Sequence, residues 1–299
     1  MINGIFCTGT SFLIWGILPI YLKFLDSLNS IEILTHRALW SLLIFFIFLW
    51  IKKKCSWLKK IKSTPSILLP IFLSAVMLGT NWLIFTWAVL TDRIIDASLG
   101  FFITPLFNVI FGLFLGEQLK KIQWFAITLI LIGVLWLTFI YGELPWIGLT
   151  IAITFSLYGL LRKTSRLDSL EGLTIELLIL FPFFLSLLFV FTNFSFQSFL
   201  DNNLTIILLL LGSGPVTAIP MFLFSYGTRK IPLSVVGLLQ YIGPTVQVIL
   251  GVWIYKESFE NNKLIAFSLI WTALFIYTSH GIWNLRKKKN KSRLLSKSF

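Results

Sequence analysis

Apolar residues run through the chain in blocks of about 20 positions, each long enough to cross a bilayer core as a helix, with short polar connections between them. The blocks fall near 5–24, 32–51, 66–90, 94–116, 122–141, 144–161, 171–193, 204–226, 232–254 and 262–284. Runs such as Ile122–Tyr141 are apolar on every face and lack the two-residue alternation of an outer-membrane strand. In lipid each backbone amide needs a partner within its own segment, so the blocks read as helices. The pattern predicts an all-α membrane protein of ten transmembrane helices. The first block has neither a basic leader nor an Ala-x-Ala-like cleavage site and is expected to stay as helix one.

Composition removes the soluble alternative. Hydrophobic residues make up 57% of the chain and charged residues 12%, with a mean hydropathy of +0.89, where soluble domains carry roughly 25% charged residues. The net charge of +13 would suit nucleic acid, but the basic residues sit at helix ends and in the tail instead of on one folded face. Lys and Arg in short loops stay cytoplasmic. Lys52, Lys53, Lys54, Lys59, Lys60 and Lys62 share a side with Lys120, Lys121, Arg162, Lys163, Arg166, Arg229, Lys230 and the tail from Arg286 to Lys297. Lys23, Arg37, Arg93, Lys256 and Lys263 are left for the other side. Both termini are therefore expected in the cytoplasm, with no nucleic-acid partner. Cys7 lies in a span and Cys55 in a cytoplasmic loop, which gives no structural disulfide, and no residues have metal-ligand spacing. No metal or cofactor is expected.

An internal repeat organises the spans. Phe12-Leu13-Ile14-Trp15-Gly16 aligns with Phe155-Ser156-Leu157-Tyr158-Gly159, Asp26-Ser27-Leu28 with Asp168-Ser169-Leu170, and Glu32 with Glu176. Later in each half Ser98 pairs with Gly237, Pro105 with Pro244, Asn108 with Gln247, Gly112 with Gly251 and Glu117 with Glu257. Five spans is an odd number, so the second copy enters the membrane upside down, as in many secondary transporters. The expected division is a first five-helix repeat over 1–141, a second, inverted repeat over 142–284 and a basic cytoplasmic tail over 285–299. A binding site is expected between the halves.

Five motifs then carry a family resemblance: Glu32-Ile33-Leu34-Thr35-His36-Arg37 with Trp40-Ser41, Gly79-x-Asn81-Trp82, Ala97-Ser98-Leu99-Gly100-Phe101-Phe102-Ile103, Tyr158-Gly159-Leu160-x-Arg162-Lys163, and Gln240-Tyr241-Ile242-Gly243-Pro244-Thr245. In this order they resemble the EamA family of the drug/metabolite transporter superfamily, over about residues 4 to 284. The resemblance implies a ten-helix transporter fold around a central cavity, and a cargo of metabolites or amphipathic drugs such as chloramphenicol-like compounds. The chain departs from the pattern at Thr104, before Pro105, where the family resembles Asn-Pro.

Candidate chemistry follows from the polar and helix-breaking residues inside the spans. Pro105 and Pro244 remove the backbone bonds to the carbonyls of Phe101 and Gln240, and with Gly100 and Gly243 beside them they read as paired gating hinges; the other reading is a static kink with small-residue packing. Asn108 and Gln247 lie beyond the prolines and are expected to face protein or water. Glu32 and His36 share a helix face, with Trp40 a turn further and Arg37 beside them. His36 and Arg37 would attract an anionic group, or His36 would exchange a proton; otherwise Arg37 snorkels to the outer interface or pairs with Glu32, and His36 packs. Asn81, Trp82, Trp87, Gln240 and Tyr241 suit a cavity for planar amphipathic solutes. Asp96 is placed to pair with Arg93 or Arg37, and Glu117 and Glu257 to cap loops on opposite membrane faces.

No P-loop, His-Glu-x-x-His or Gly-x-Ser-x-Gly motif occurs, which leaves no catalytic constellation. The expectation is a non-enzyme, a secondary transporter of the bacterial inner membrane, with a small-molecule substrate, the lipid bilayer as partner, proton coupling as an option, and a monomer or weak dimer as its assembly. The Lys-, Ile- and Asn-rich composition of an AT-rich genome keeps a second direction open: uptake or exchange of a host metabolite such as an amino acid, a nucleotide derivative or S-adenosylmethionine. A structural or receptor membrane protein is the non-transport alternative.

Overall fold

The computed structural model describes residues 2–51, 63, 65–114, 121–142, 144–165, 167–192, 203–228, 230–231, 239–273, 275–276 and 279. These residues form helices and no strand. In chain order they are α1 (Ile2–Lys23), α2 (Ser30–Ile51), α3 (Leu68–Leu90, entered through a 3-10 turn at Pro65–Ile67), α4 (Ile94–Phe114), α5 (Lys121–Tyr141), α6 (Trp146–Thr164), α7 (Ser169–Phe191), α8 (Leu204–Thr228), α9 (Ile242–Ile249) and α10 (261–273). The bounds of α1 to α8 follow the apolar blocks to within a few residues, while part of each of the blocks at 232–254 and 262–284 lies outside the described residues. Ile2–Lys23, Ser30–Ile51, Pro65–Leu90, Leu170–Phe191 and Leu204–Phe224 are long and apolar enough to cross a membrane by themselves. Phe139, 85% exposed, and Trp50, 80% exposed, point away from the bundle; water would disfavour so large an outward apolar surface, whereas lipid accepts it.

The packing has an internal order. α1 packs on α8 and α9, while α6 packs on α3 and α4; α2 packs on α7 and α8, while α7 packs on α2 and α3; α4 meets α9. Exchanging each helix for the one five places away turns every one of these pairs into another member of the set. Where the helices cross closest, glycine removes the side chain that would hold them apart. A Cβ on Gly100 of α4 would come within 2.6 Å of the Gly148 carbonyl of α6, and one on Gly214 of α8 within 2.5 Å of the Trp40 Cβ of α2. Gly16 of α1 meets the Gly243 backbone of α9 in the same manner. Small residues at such crossings are how membrane helices gain van der Waals contact without a hydrophobic driving force.

The two proline-bearing helices differ. α4 runs unbroken through Pro105. Before α9 the residues Gln240 and Tyr241 form a turn, the helix starts at Ile242, and Pro244 sits in its first turn, where a missing N–H costs nothing because that donor has no intrahelical partner. At its far end α9 widens into a π turn over Leu250–Ile254. The chain then reverses through Lys256 at φ 57°, and the Glu257 N–H donates to the Gly251 carbonyl at 2.9 Å. The basic loop Lys52–Lys62, Glu117, the 193–202 connection, His280 and the 285–299 tail lie outside the described residues, as does the side chain of Asn108.

Candidate functional site

Arg37 enters the bundle about 10 Å along α2 from its start, given a 1.5 Å rise per residue. It is 4% exposed, so it neither snorkels to an interface nor pairs with Glu32. Its Nε donates to Thr217 Oγ1 of α8 at 3.1 Å and its Nη1 to Thr86 Oγ1 of α3 at 3.2 Å. The guanidinium plane lies over the Trp82 ring, 4.9 Å from its centroid, a cation–π contact that gains strength out of water. Among the described residues no carboxylate lies within ion-pair distance of it. Trp82 and Thr86 are four residues apart on α3 and so present one face. The same packing brings His36 against Trp40: the indole Nε1 donates to His36 Nδ1 at 3.2 Å, with the two rings stacked at 21°.

Other expected cavity residues go to different places. Asn81 donates through Nδ2 to the Ile151 carbonyl at 3.0 Å and to Thr154 Oγ1 at 3.1 Å, so its amide ties α3 to α6. Trp87 stands at the end of α3, between the Arg93 guanidinium at 5.6 Å and the Trp146 ring at 5.5 Å. On the α9 side, Gln247 donates to the Trp15 carbonyl at 3.3 Å while its Oε1 has no partner, and Gln240 Nε2 is likewise unpartnered and buried. Tyr241 stacks on Phe102, and Phe12, Trp15 and Phe224 form an aromatic cluster beside them. The structure thus gathers Arg37 with Trp82, Thr86 and Thr217, His36 with Trp40, and Gln247 with Trp15.

Sequence reasoning passed over two sets of residues. Thr86 and Thr217 carry no motif. Glu176, fully buried, was visible only as the repeat partner of Glu32. It pairs with Arg162 at 3.5 Å and accepts from Ser74 Oγ and from the Tyr158 hydroxyl, so the second half neutralises its internal cation.

The end of the bundle holding Arg93 is cross-tied. The Glu257 carboxylate accepts from the Ile94 and Ile95 backbone N–H groups at 2.8 and 2.9 Å, capping α4 where the helix dipole favours an anion. Burial pushes the Glu257 carboxyl above its ordinary value, while the Ile95 and Ile94 N–H groups pull it back down. Asp96 pairs with Lys263 of α10 at 3.0 Å, not with Arg93 or Arg37 as expected. Lys23 of α1 pairs with Asp92 and lies over the Tyr255 ring. A polar recess of about 330 Å³ opens here between Asp92, Arg93, Asp96, Trp146 and Lys263. No group of three or more His, Cys, Asp or Glu able to hold a metal occurs among the described residues.

Comparison with known proteins places this geometry in context. The family model of the EamA-like transporter family matches twice, over residues 2–139 and 145–279. Protein RarD of Escherichia coli (strain K12) is 37% identical over 286 residues, covering 95% of this chain and 97% of that protein. The uncharacterized transporter YojE of Bacillus subtilis (strain 168) is 38% identical over 96% of this chain and 98% of its own. A solved crystal structure with 16% sequence identity superposes with a TM-score of 0.63 over 93% of this chain and 98% of that one, a likeness of fold alone.

Proposed function

The chain belongs to the EamA-like transporter family, and on that premise we propose that it is a secondary transporter that moves small organic solutes across the bacterial inner membrane by alternating access. In this reading all ten helices cross the bilayer, 1–141 and 142–284 are inverted halves, both termini are cytoplasmic, and the Arg93 end faces outward. The packing of the helices supports the proposal: the contacts between the two sets of five map onto one another when the sets are exchanged, and Pro105 lies inside a helix that runs on to Phe114 while Pro244 lies in the first turn of one that starts at Ile242. Two equivalent elements held in unlike conformations are what a fixed site with alternating exposure requires.

The cargo site would lie between the Arg37 group and the Gln240–Gln247 group, whose unpartnered donor and acceptor suit a polar solute. His36, Trp82, Tyr241 and Asn108 would complete its wall, and Gly100, Pro105, Gly243 and Pro244 would allow the change of state. Asn81 and Trp87, bonded elsewhere, would support the wall from behind. Metabolites and amphipathic drugs such as chloramphenicol-like compounds are the cargo classes to try first. The test is solute flux into proteoliposomes containing the full chain. Expected is saturable flux that falls in Pro105→Ala and Pro244→Ala more than binding does, together with altered reactivity of cysteines placed at the two mouths. Absence of flux across a broad solute panel, with the protein folded, would sink the transporter reading; parental rates in both variants would sink the hinges alone.

A further inference from the structure

Arg37 is held in a way that an ordinary structural arginine is not. A charge taken into the bilayer interior costs several kcal/mol unless it is paired, and the same molecule pairs the part-buried Arg162 with the buried Glu176. Around Arg37 no described neighbour is a carboxylate, and the titratable side chain that acts on it is the Tyr21 phenol, whose hydroxyl donates to the Leu209 carbonyl. Thr86 and Thr217 accept from the guanidinium through their hydroxyl oxygens, and the Trp82 ring meets its face. Each of those hydroxyls still has its own O–H to give, with no acceptor for it among the described residues. A guanidinium has five N–H groups, of which two are used here. The cluster is therefore rich in donors, poor in acceptors and one positive charge out of balance. Water can satisfy donors, but it cannot cancel the charge.

We propose that Arg37, Thr86 and Thr217 form a cradle for one anionic group of the cargo, and that the cargo is an organic monoanion bearing a carboxylate. The inference rests on the transporter reading and adds the substrate class to it. Carboxylate is favoured because its two oxygens match the fork of a guanidinium. A single cation balances a monoanion and leaves half of a phosphate dianion uncompensated. His36 does not supply the missing charge: its Nδ1 accepts from Trp40, so the ring works as a hydrogen-bonded wall. The repeat gives the contrast in sequence terms. Glu176 neutralises the cation in the second half, whereas Glu32, its counterpart, makes no bond to Arg37, and the place is left for a carboxylate that arrives with the cargo.

The experiment uses the full chain in lipid nanodiscs, with tryptophan fluorescence and thermal shift as readouts. The probes are propionate, benzoate and indole-3-acetate, each beside its primary amide, plus phenyl phosphate. Expected is that at least one acid binds roughly tenfold or more tightly than its amide, the scale of a hydrogen bond to a charged group. Arg37→Gln should erase that preference and Arg37→Lys should keep part of it. Thr86→Val and Thr217→Val, which leave the charge in place, should each weaken the acid several-fold and the amide little, and they keep the test open if Arg37→Gln does not fold. Acids that bind no better than their amides, a preference that survives in Arg37→Gln, or tighter binding of phenyl phosphate would each overturn the proposal. Flux of neutral solutes into proteoliposomes of the same protein would show that the transporter reading stands without it, and absence of all flux would be failure of that reading instead.

Discussion

At the scale of single residues, position on a helix face decides more than residue type. Asn81 belongs by type to a solute cavity, yet both donor contacts of its amide go to α6. Asn81→Ala should therefore lower stability by about 1 kcal/mol, the usual worth of an interhelical bond in a membrane, and leave cargo affinity unchanged; a loss of affinity at unchanged melting temperature would return Asn81 to the cavity wall. Arg37, His36 and Trp82 were legible from sequence because charged and aromatic residues inside an apolar block are conspicuous. Thr86 and Thr217 were not, since threonine in a helix usually turns its hydroxyl back to the carbonyl four residues earlier, as Thr104, Thr154 and Thr174 do here. Only the neighbouring helices reveal that these two receive a guanidinium instead.

At the scale of the element, glycine positions separate contact from open space. A Cβ on Gly100 would collide with the Gly148 carbonyl and with Ile151, and backbone cannot move aside as a flexible side chain can, whereas one on Gly159 would meet nothing within 4 Å. Gly100→Ala should thus cost about 1–3 kcal/mol by forcing α4 from α6, and Gly159→Ala should hold or slightly raise the melting temperature through better helix propensity. Equal melting temperatures for the two variants would show that the α4–α6 crossing yields more than its geometry suggests. Helix bounds were readable because lipid demands long apolar blocks. The start of α9 at Ile242 and its π turn were not, because a proline with glycines nearby also accompanies a helix that runs straight through Pro105.

For the whole molecule, the packing pairs between α1–α4 and α6–α9 exchange with one another under a shift of five helices. The two prolines align but their neighbours do not, Thr104 standing where the other segment has Gly243, and the helix with Pro244 starts at Ile242 where that with Pro105 runs on to Phe114. The cross-ties at the Arg93 end hold α4 to α9 and α10 through Glu257 and the Asp96–Lys263 pair. In the proposed orientation they brace the outer face beside the recess at Asp92, Arg93 and Asp96.

The uncompensated charge of Arg37 also has an electrical meaning. A site with one positive charge when empty and none when it holds a monoanion responds to membrane voltage only in its empty state. Each elementary charge crossing the full potential is worth about 2.3 kcal/mol per 100 mV, and an interior-negative cell would draw the empty site toward the cytoplasm. Voltage would then reset the carrier for loading from inside and drive the anion outward, which favours export over uptake. In proteoliposomes given a potassium diffusion potential, efflux of a bound monoanion should accelerate when the side of loading is made negative, and slow when the polarity is reversed. Rates indifferent to the potential would mean that another charge moves with the cargo and keeps the whole cycle electrically silent.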